Sequence, residues 1–181
     1  MADWQTQIQK LMADMPEHLC DVAMGVGYVF SSLDREAAEK YIHPDFVDHE
    51  ASEGVGGGPE GYLQTAAYMN AAFSDATWMP IEMLADGDKY AMALEFSGVH
   101  TGEFMGIPAT GKKVSIRHLH FFRVQDGQAI EHWGARDELT LLSQIGVFNP
   151  SVPTPADYGA KMEEAGATPL NKATSEAGKN I

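Results

Sequence analysis

Apolar residues recur every three or four positions across residues 3–30. Trp4, Ile8, Leu11, Met12 and Met15 share one face, and Leu19, Val22, Val26 and Phe30 continue it. That period predicts helix, which Pro16 interrupts or kinks and which Gly25 and Gly27 weaken. Ser31-Ser32-Leu33-Asp34 resembles a capping box and starts a short helix ending near Ile42. His43-Pro44-Asp45 closes that helix, because the residue before a proline avoids helical geometry. Phe46–Glu50 reads as a short strand, and Ser52–Gly58 as a glycine-rich loop. Pro59 then suits the first turn of a helix, carried by Tyr62, Leu63, Ala66, Met69, Asn70 and Phe73 to about residue 74.

From residue 76 the period shortens from that of a helix to that of a strand. Trp78–Leu84 and Lys89–Val99 flank the turn Asp86-Gly87, and Val114–Val124 and Ala129–Arg136 flank Asp126-Gly127. Leu139, Leu141, Leu142 and Ile145 predict a last helix that Gly146 stops and Asp137 caps. Helices followed by a run of antiparallel strands predict an α+β domain, with helices on one face of a curved sheet and a pocket where the curve stays unfilled. The domain is expected to span 1–148. Beyond it, Pro150, Pro153, Pro155 and Pro169 among Ala, Ser and Thr predict an extended tail over 149–181.

Composition narrows the partners. Twelve Lys and Arg stand against 26 Asp and Glu, a formal charge of −14, so nucleic acid and anionic membrane are both disfavoured. The acidity is uneven: residues 1–103 hold 18 acids and 4 bases, residues 104–146 hold 4 and 5. The lone Cys20 makes neither an intramolecular disulfide nor a multi-cysteine zinc site. No run of about 18 apolar residues is present to span a bilayer. The opening MADWQTQIQK lacks the order of a secretory signal, so a cytoplasmic protein is expected.

The chemistry concentrates in Ile116–Arg123. Strand alternation puts Ile116, His118, His120 and Phe122 on one face and Arg117, Leu119, Phe121 and Arg123 on the other. Across the turn, Ile130, His132, Gly134 and Arg136 share a face if that strand is regular. His118, His120 and His132 can then converge on one wall, where imidazole suits proton transfer near neutral pH. Core hydrogen bonding is the plainer use for any one of them. A metal site is disfavoured, since His118 and His120 are only two apart on a strand and no helical HExxH exists. In Asp48-His49-Glu50 a desolvated carboxylate can act as a general base; the alternative is a solvated strand end. His100 follows the break at Gly98 and is a further candidate. Gly56-Gly57-Gly58-Pro59-Glu60-Gly61 fits GxGxxG as a string but lacks a βαβ setting, so it reads as a loop before a helix, with a lid as its possible use.

Several segments appear in a telling order: Tyr41-Ile42-His43-Pro44-Asp45-Phe46, Gly58-Pro59-Glu60-Gly61, Gly98-Val99-His100-Thr101-Gly102-Glu103, and Gly106-Ile107-Pro108-Ala109-Thr110-Gly111-Lys112. Phe122-Arg123-Val124-Gln125-Asp126-Gly127, Glu131-His132-Trp133 and Leu141-Leu142-Ser143-Gln144-Ile145-Gly146 complete the set. Over about residues 25–147 the chain resembles the SnoaL-like polyketide cyclases (ester cyclases) of the nuclear-transport-factor-2-like superfamily. Residues 1–24 form a helical extension outside the resemblance, which implies an α+β cone with a deep apolar pocket. It also implies ring closure by intramolecular aldol condensation without metal or cofactor, an Asp taking the proton and a His supporting it. The His carries over to His120. The Asp falls on Gly134, so the family's carboxylate is absent.

The resulting expectation is a cofactor-free enzyme acting on a small apolar or aromatic carbonyl or ester compound. Its catalytic candidates are His120, Asp48, His49 and His118, with Asp48 first as base. Phe30, His100, Phe122, His132 and Arg136 are expected to bind substrate, with His118 or Arg136 stabilising an enolate oxygen. Two alternatives stand beside it: a hydrolase or epoxide-opening enzyme, and a non-catalytic binder that kept the fold. The apolar face bearing Leu119, Phe121 and Trp133 asks for cover, and a homodimer is expected.

Overall fold

The computed structural model describes residues 4–149, 161 and 164–166. Backbone contacts divide the chain into two units, Met1–Phe148 and Asn149–Ile181. Most of the expected extended tail lies outside the described residues. Of the rest, Lys161 and Ala165 close a helical turn, with an N–H to O distance of 3.0 Å.

In the first unit, α1 (Trp4–Met12) and α2 (Glu17–Ser32) replace the long N-terminal helix. Pro16 separates them by sitting at the N-cap of α2 rather than kinking a continuous rod. α2 buries Leu19, Val22, Ala23, Val26 and Val29 at helical spacing. Ser31 and Ser32 end α2 instead of starting the next helix, and Leu33 turns the chain with φ 59°. Asp34 caps α3 (Arg35–Tyr41), accepting from Ala37 N–H.

The sheet order is β1 (Ile42–Asp48), β5 (Gln128–Arg136), β4 (Lys113–Gln125), β3 (Lys89–His100), β2 (Phe73–Asp86). β1 pairs parallel with β5, and the other neighbours are antiparallel. Two expectations shift at its edges. β1 begins at Ile42, so His43-Pro44-Asp45 lies inside a strand rather than a turn, at an irregular stretch of its register. α4 (Gly58–Ala72) stops before Phe73, which enters β2 and packs into the core. The two prolines within the described strands, Pro44 and Pro80, occupy edge strands, where a missing N–H costs no ladder bond. Register shifts that leave extra residues in β1, β2 and β5 are the bulges that bend such a sheet. The result is a curved, unclosed sheet with α2, α3 and α4 against it.

Two apolar clusters fill the concave side. One joins α2, α3 and α4 to the Tyr90, Phe122 and Val124 end of the sheet. The other joins Met69, Phe73, Phe96 and Ile116 to α5 (Glu138–Ile145). Asp137 caps α5 by accepting from Thr140 N–H at 3.0 Å, and Gly146 ends it with φ 87°, both as expected. The GxGxxG string precedes and opens α4. Its Gly61 passes so close to Gly56 O that a side chain would overlap that carbonyl. The strand after α4 lies at the opposite edge of the sheet from β1, so no dinucleotide-type βαβ unit exists here. Among the described residues, no helix is long and apolar enough to cross a membrane.

Candidate functional site

A cavity of about 370 Å³ opens between α2, α4 and the concave face of β2–β5. Its walls are apolar and aromatic, drawn chiefly from Phe30, Tyr62, Trp78, Met83, Met92 and Phe122. Met24 and Tyr28 of α2, each about half exposed, stand at its rim. Its polar groups are few: Asp48, His118, His120, His132 and Arg136 among them. The alternation of β4 holds, with Ile116, His118 and Phe122 buried while Leu119 and Phe121 are exposed.

Strand register brings the polar groups together. Asp48 on β1 pairs with His132 on β5; on β4, His118, His120 and Phe122 pair with Arg136, Gly134 and His132. His132 Nδ1 lies 2.7 Å from Asp48 Oδ1, and His132 Nε2 lies 2.8 Å from His120 Nδ1. His120 Nε2 is 3.3 Å from His118 Nδ1. Asp48 Oδ1 also accepts Glu50 N–H at 3.0 Å, while Oδ2 makes no hydrogen bond to a described residue. Asp48 therefore meets His120 through His132 and not directly.

Burial governs the electrostatics. Desolvation, with Arg136 nearby, pushes His118 down to about 4. His120 falls to about 2, through desolvation first and then repulsion from His132, His118 and Arg136. Burial alone would raise the Asp48 carboxyl, but its hydrogen bond and attraction to His132 outweigh that, leaving it below the ordinary carboxylate value. The site at neutral pH thus holds an ionised Asp48 beside an uncharged His120 and His118. Tyr62, buried and raised by desolvation, donates to Val26 O at 3.2 Å and stays a phenol.

The expected site residues divide cleanly. Phe30, Asp48, His118, His120, Phe122, His132 and Arg136 line the cavity. His49 does not: one residue past Asp48, it stacks on Trp133 with ring centres 4.5 Å apart and approaches Glu131. His100 does not either. It is fully buried beside Phe73 in the second core cluster, with Nδ1 on Thr110 Oγ1 at 3.0 Å. The loop over residues 51–57 contributes nothing to the lining of this cavity. Trp78, Met83 and Met92 join the lining without being among the expected site residues. The alternation of Met92, Leu94 and Phe96 on β3 is the signal that would have found Met92. Among the described residues, no group of three or more His, Cys, Asp or Glu is arranged to hold a metal ion. The ring nitrogens point at one another instead of at a common centre.

The sequence model for the SnoaL-like polyketide cyclase family matches residues 20–145. Nogalonic acid methyl ester cyclase of Streptomyces nogalater is 27% identical over 119 residues, covering 65% of this chain and 89% of that protein. Aklanonic acid methyl ester cyclase DnrD of Streptomyces peucetius is 29% identical over 108 residues, covering 59% and 72%. Among solved structures, wild-type IdmH from Streptomyces antibioticus matches with a TM-score of 0.63 at 32% identity, over 73% of this chain and 100% of that one. TsrD from Streptomyces laurentii gives 0.68 at 23% identity, over 75% and 100%.

Proposed function

Since the chain belongs to the SnoaL-like polyketide cyclase family, we propose that it closes a ring in a small polyketide-type ester by intramolecular aldol addition, with Asp48 as base and no cofactor. The observation that carries this reading is the Asp48 carboxylate in the wall of an apolar cavity, one oxygen held by His132 and the other making no hydrogen bond to a described residue. A carbon between two carbonyls is acidic enough for such a base. Asp48 Oδ2 takes its proton, and the electron pair of the broken C–H bond becomes an enolate. Arg136, whose Nε lies 3.5 Å from Glu138, brings a cation to the cavity wall to face the enolate oxygen. The enolate carbon then bonds to an internal carbonyl carbon, and the alkoxide so formed recovers the proton from Asp48. No atom is gained or lost, and the apolar walls keep water from the enolate.

The names of the relatives make the methyl esters of nogalonic and aklanonic acids the first probes. Incubation is expected to give a ring-closed product of unchanged mass, read by chromatography and mass spectrometry. Appearance of the free acid would move the reading to a hydrolase, and tight binding without conversion would move it to a binder.

A second expectation concerns the outer face of the sheet. Leu119 is 61% exposed, and with Leu84, Phe121 and Trp133 it lines an open apolar groove. Such a surface favours self-association. A dimer is expected by light scattering, reverting to monomer in Leu119→Glu. A monomeric wild type at micromolar concentration would remove this expectation.

A further inference from the structure

The carboxylate that the family resemblance leads one to expect after Glu131-His132-Trp133 is missing, and Gly134 stands in its place. The geometry around that glycine is specific. Gly134 is the direct cross-strand partner of His120, while His132 lies two residues along the same face. A Cβ on Gly134 would sit 3.0 Å from His120 Nδ1, 3.1 Å from His132 Nε2 and 3.2 Å from His132 Cε1. The two imidazoles therefore meet directly over the space that a side chain there would need. Gly134 does not have a left-handed backbone, so its lack of a side chain answers to this contact and not to chain conformation.

That contact has a chemical consequence. A carboxylate can only accept, so His132 Nδ1 carries the proton shared with Asp48 Oδ1. In the neutral ring His132 Nε2 is then a lone pair, which takes the Nδ1–H of His120. His120 Nε2 is in turn a lone pair, which takes the Nδ1–H of His118. The chain ends at His118 Nε2, buried and without a partner among the described residues. This polarity is the cheaper of the two, because the opposite one would leave an N–H orphaned there instead of a lone pair.

We propose that Gly134 is a positioning residue: its missing side chain lets His120 and His132 touch, and through that contact the Asp48 carboxylate fixes all three cavity histidines as Nδ1–H tautomers. The proposal rests on the reading of Asp48 as base and deepens it. Both ring nitrogens of His120 are occupied by other imidazoles, so His120 acts on the reaction only through His132. Asp48 Oδ2 is the group left to meet the acidic proton. The acid–base function has thus moved from β5 to β1, with His132 as the link.

The test reads tautomers directly, by long-range nitrogen–proton NMR on nitrogen-labelled protein at pH 7. His43 serves as the internal contrast, because its Nδ1 accepts Asp45 N–H at 3.0 Å and its proton must sit on Nε2. His118, His120 and His132 are expected to show a protonated Nδ1 and a bare Nε2. Gly134→Ala should part His120 from His132 and release His120 from that tautomer. Asp48→Ala, which removes no atom touching His120, should release it too. Finding His120 with its proton on Nε2 in the wild type, or unchanged in either variant, would overturn the proposal. The readout needs no substrate, so a wild type that shows the tautomer chain but closes no ring would refute only the cyclase reading. With turnover, Gly134→Ala is expected to lower kcat about tenfold or more while KM changes little. An unaltered kcat would again count against the proposal.

Discussion

Asp48→Asn should lower kcat by about a hundredfold to ten-thousandfold, the usual contribution of one positioned general base. The substitution is chosen because it preserves nearly everything else. Asparagine is the same size, its carbonyl oxygen can still accept from His132 Nδ1–H, and the cavity keeps its shape. What changes is the free position: Oδ2, which makes no hydrogen bond to a described residue, becomes an amide nitrogen that cannot take a proton. The loss should therefore fall on kcat, with KM for the ester nearly unchanged, the pattern of an interaction made only in the transition state. His49→Ala is the matched control, since His49 stacks on Trp133 outside the cavity, and it should retain full activity. The pH profile adds a second reading. Asp48 is held below the ordinary carboxylate value, so kcat/KM should show no acid limb between pH 8 and pH 5. An Asp48→Asn enzyme with undiminished kcat would remove Asp48 as the base.

Much of this site was legible because strands alternate. The period-two pattern of Ile116–Arg123 was enough to put His118, His120 and Phe122 on the concave side and Leu119 and Phe121 outside. Alternation does not reach His49: β1 ends at Asp48, the chain turns there, and His49 comes to stack on Trp133 outside the cavity. His100 misled for another reason: a histidine after a glycine break looks available, yet here the chain carries it into a buried corner with Phe73 and Thr110. What the sequence could not supply was the partnership of β1 with β5. That pairing is parallel and joins residues 84 apart, from Asp48 to His132, with no turn to announce it. Without it Asp48 and His120 were candidates with nothing between them. Gly134 likewise read as a loss of chemistry, because only the register shows that its absent side chain is what His132 leans across.

Burial of the histidines sets the second large expectation, which concerns stability: acid should weaken the fold from pH 6.5 downward, well above the range in which carboxylates titrate. In the unfolded chain His118 and His120 take up protons near the ordinary value of about 6.5. In the fold His118 resists until about 4 and His120 until about 2, chiefly because each is buried. Between those limits the unfolded state binds more protons than the native one, so stability falls as pH falls. One pKa unit corresponds to about 1.4 kcal/mol, so each histidine costs about 2 kcal/mol on going from pH 6.5 to pH 5. Together they remove about 4 kcal/mol, a large share of the 5–15 kcal/mol typical of a folded domain. Asp48 adds to the trend with the same sign at lower pH: its depressed value stabilises the fold above the ordinary carboxylate range and loses that contribution as pH drops through it. Urea unfolding at pH 7, 6 and 5 should show the midpoint dropping steeply, with a slope of about two protons below pH 6.5. His118→Phe keeps an aromatic ring stacked near Phe96 and should reduce that slope to about one. A wild-type midpoint that stays level from pH 7 to pH 5 would mean that the imidazoles charge freely inside the fold, and the cavity wall would then be cationic where the proposed chemistry needs it neutral.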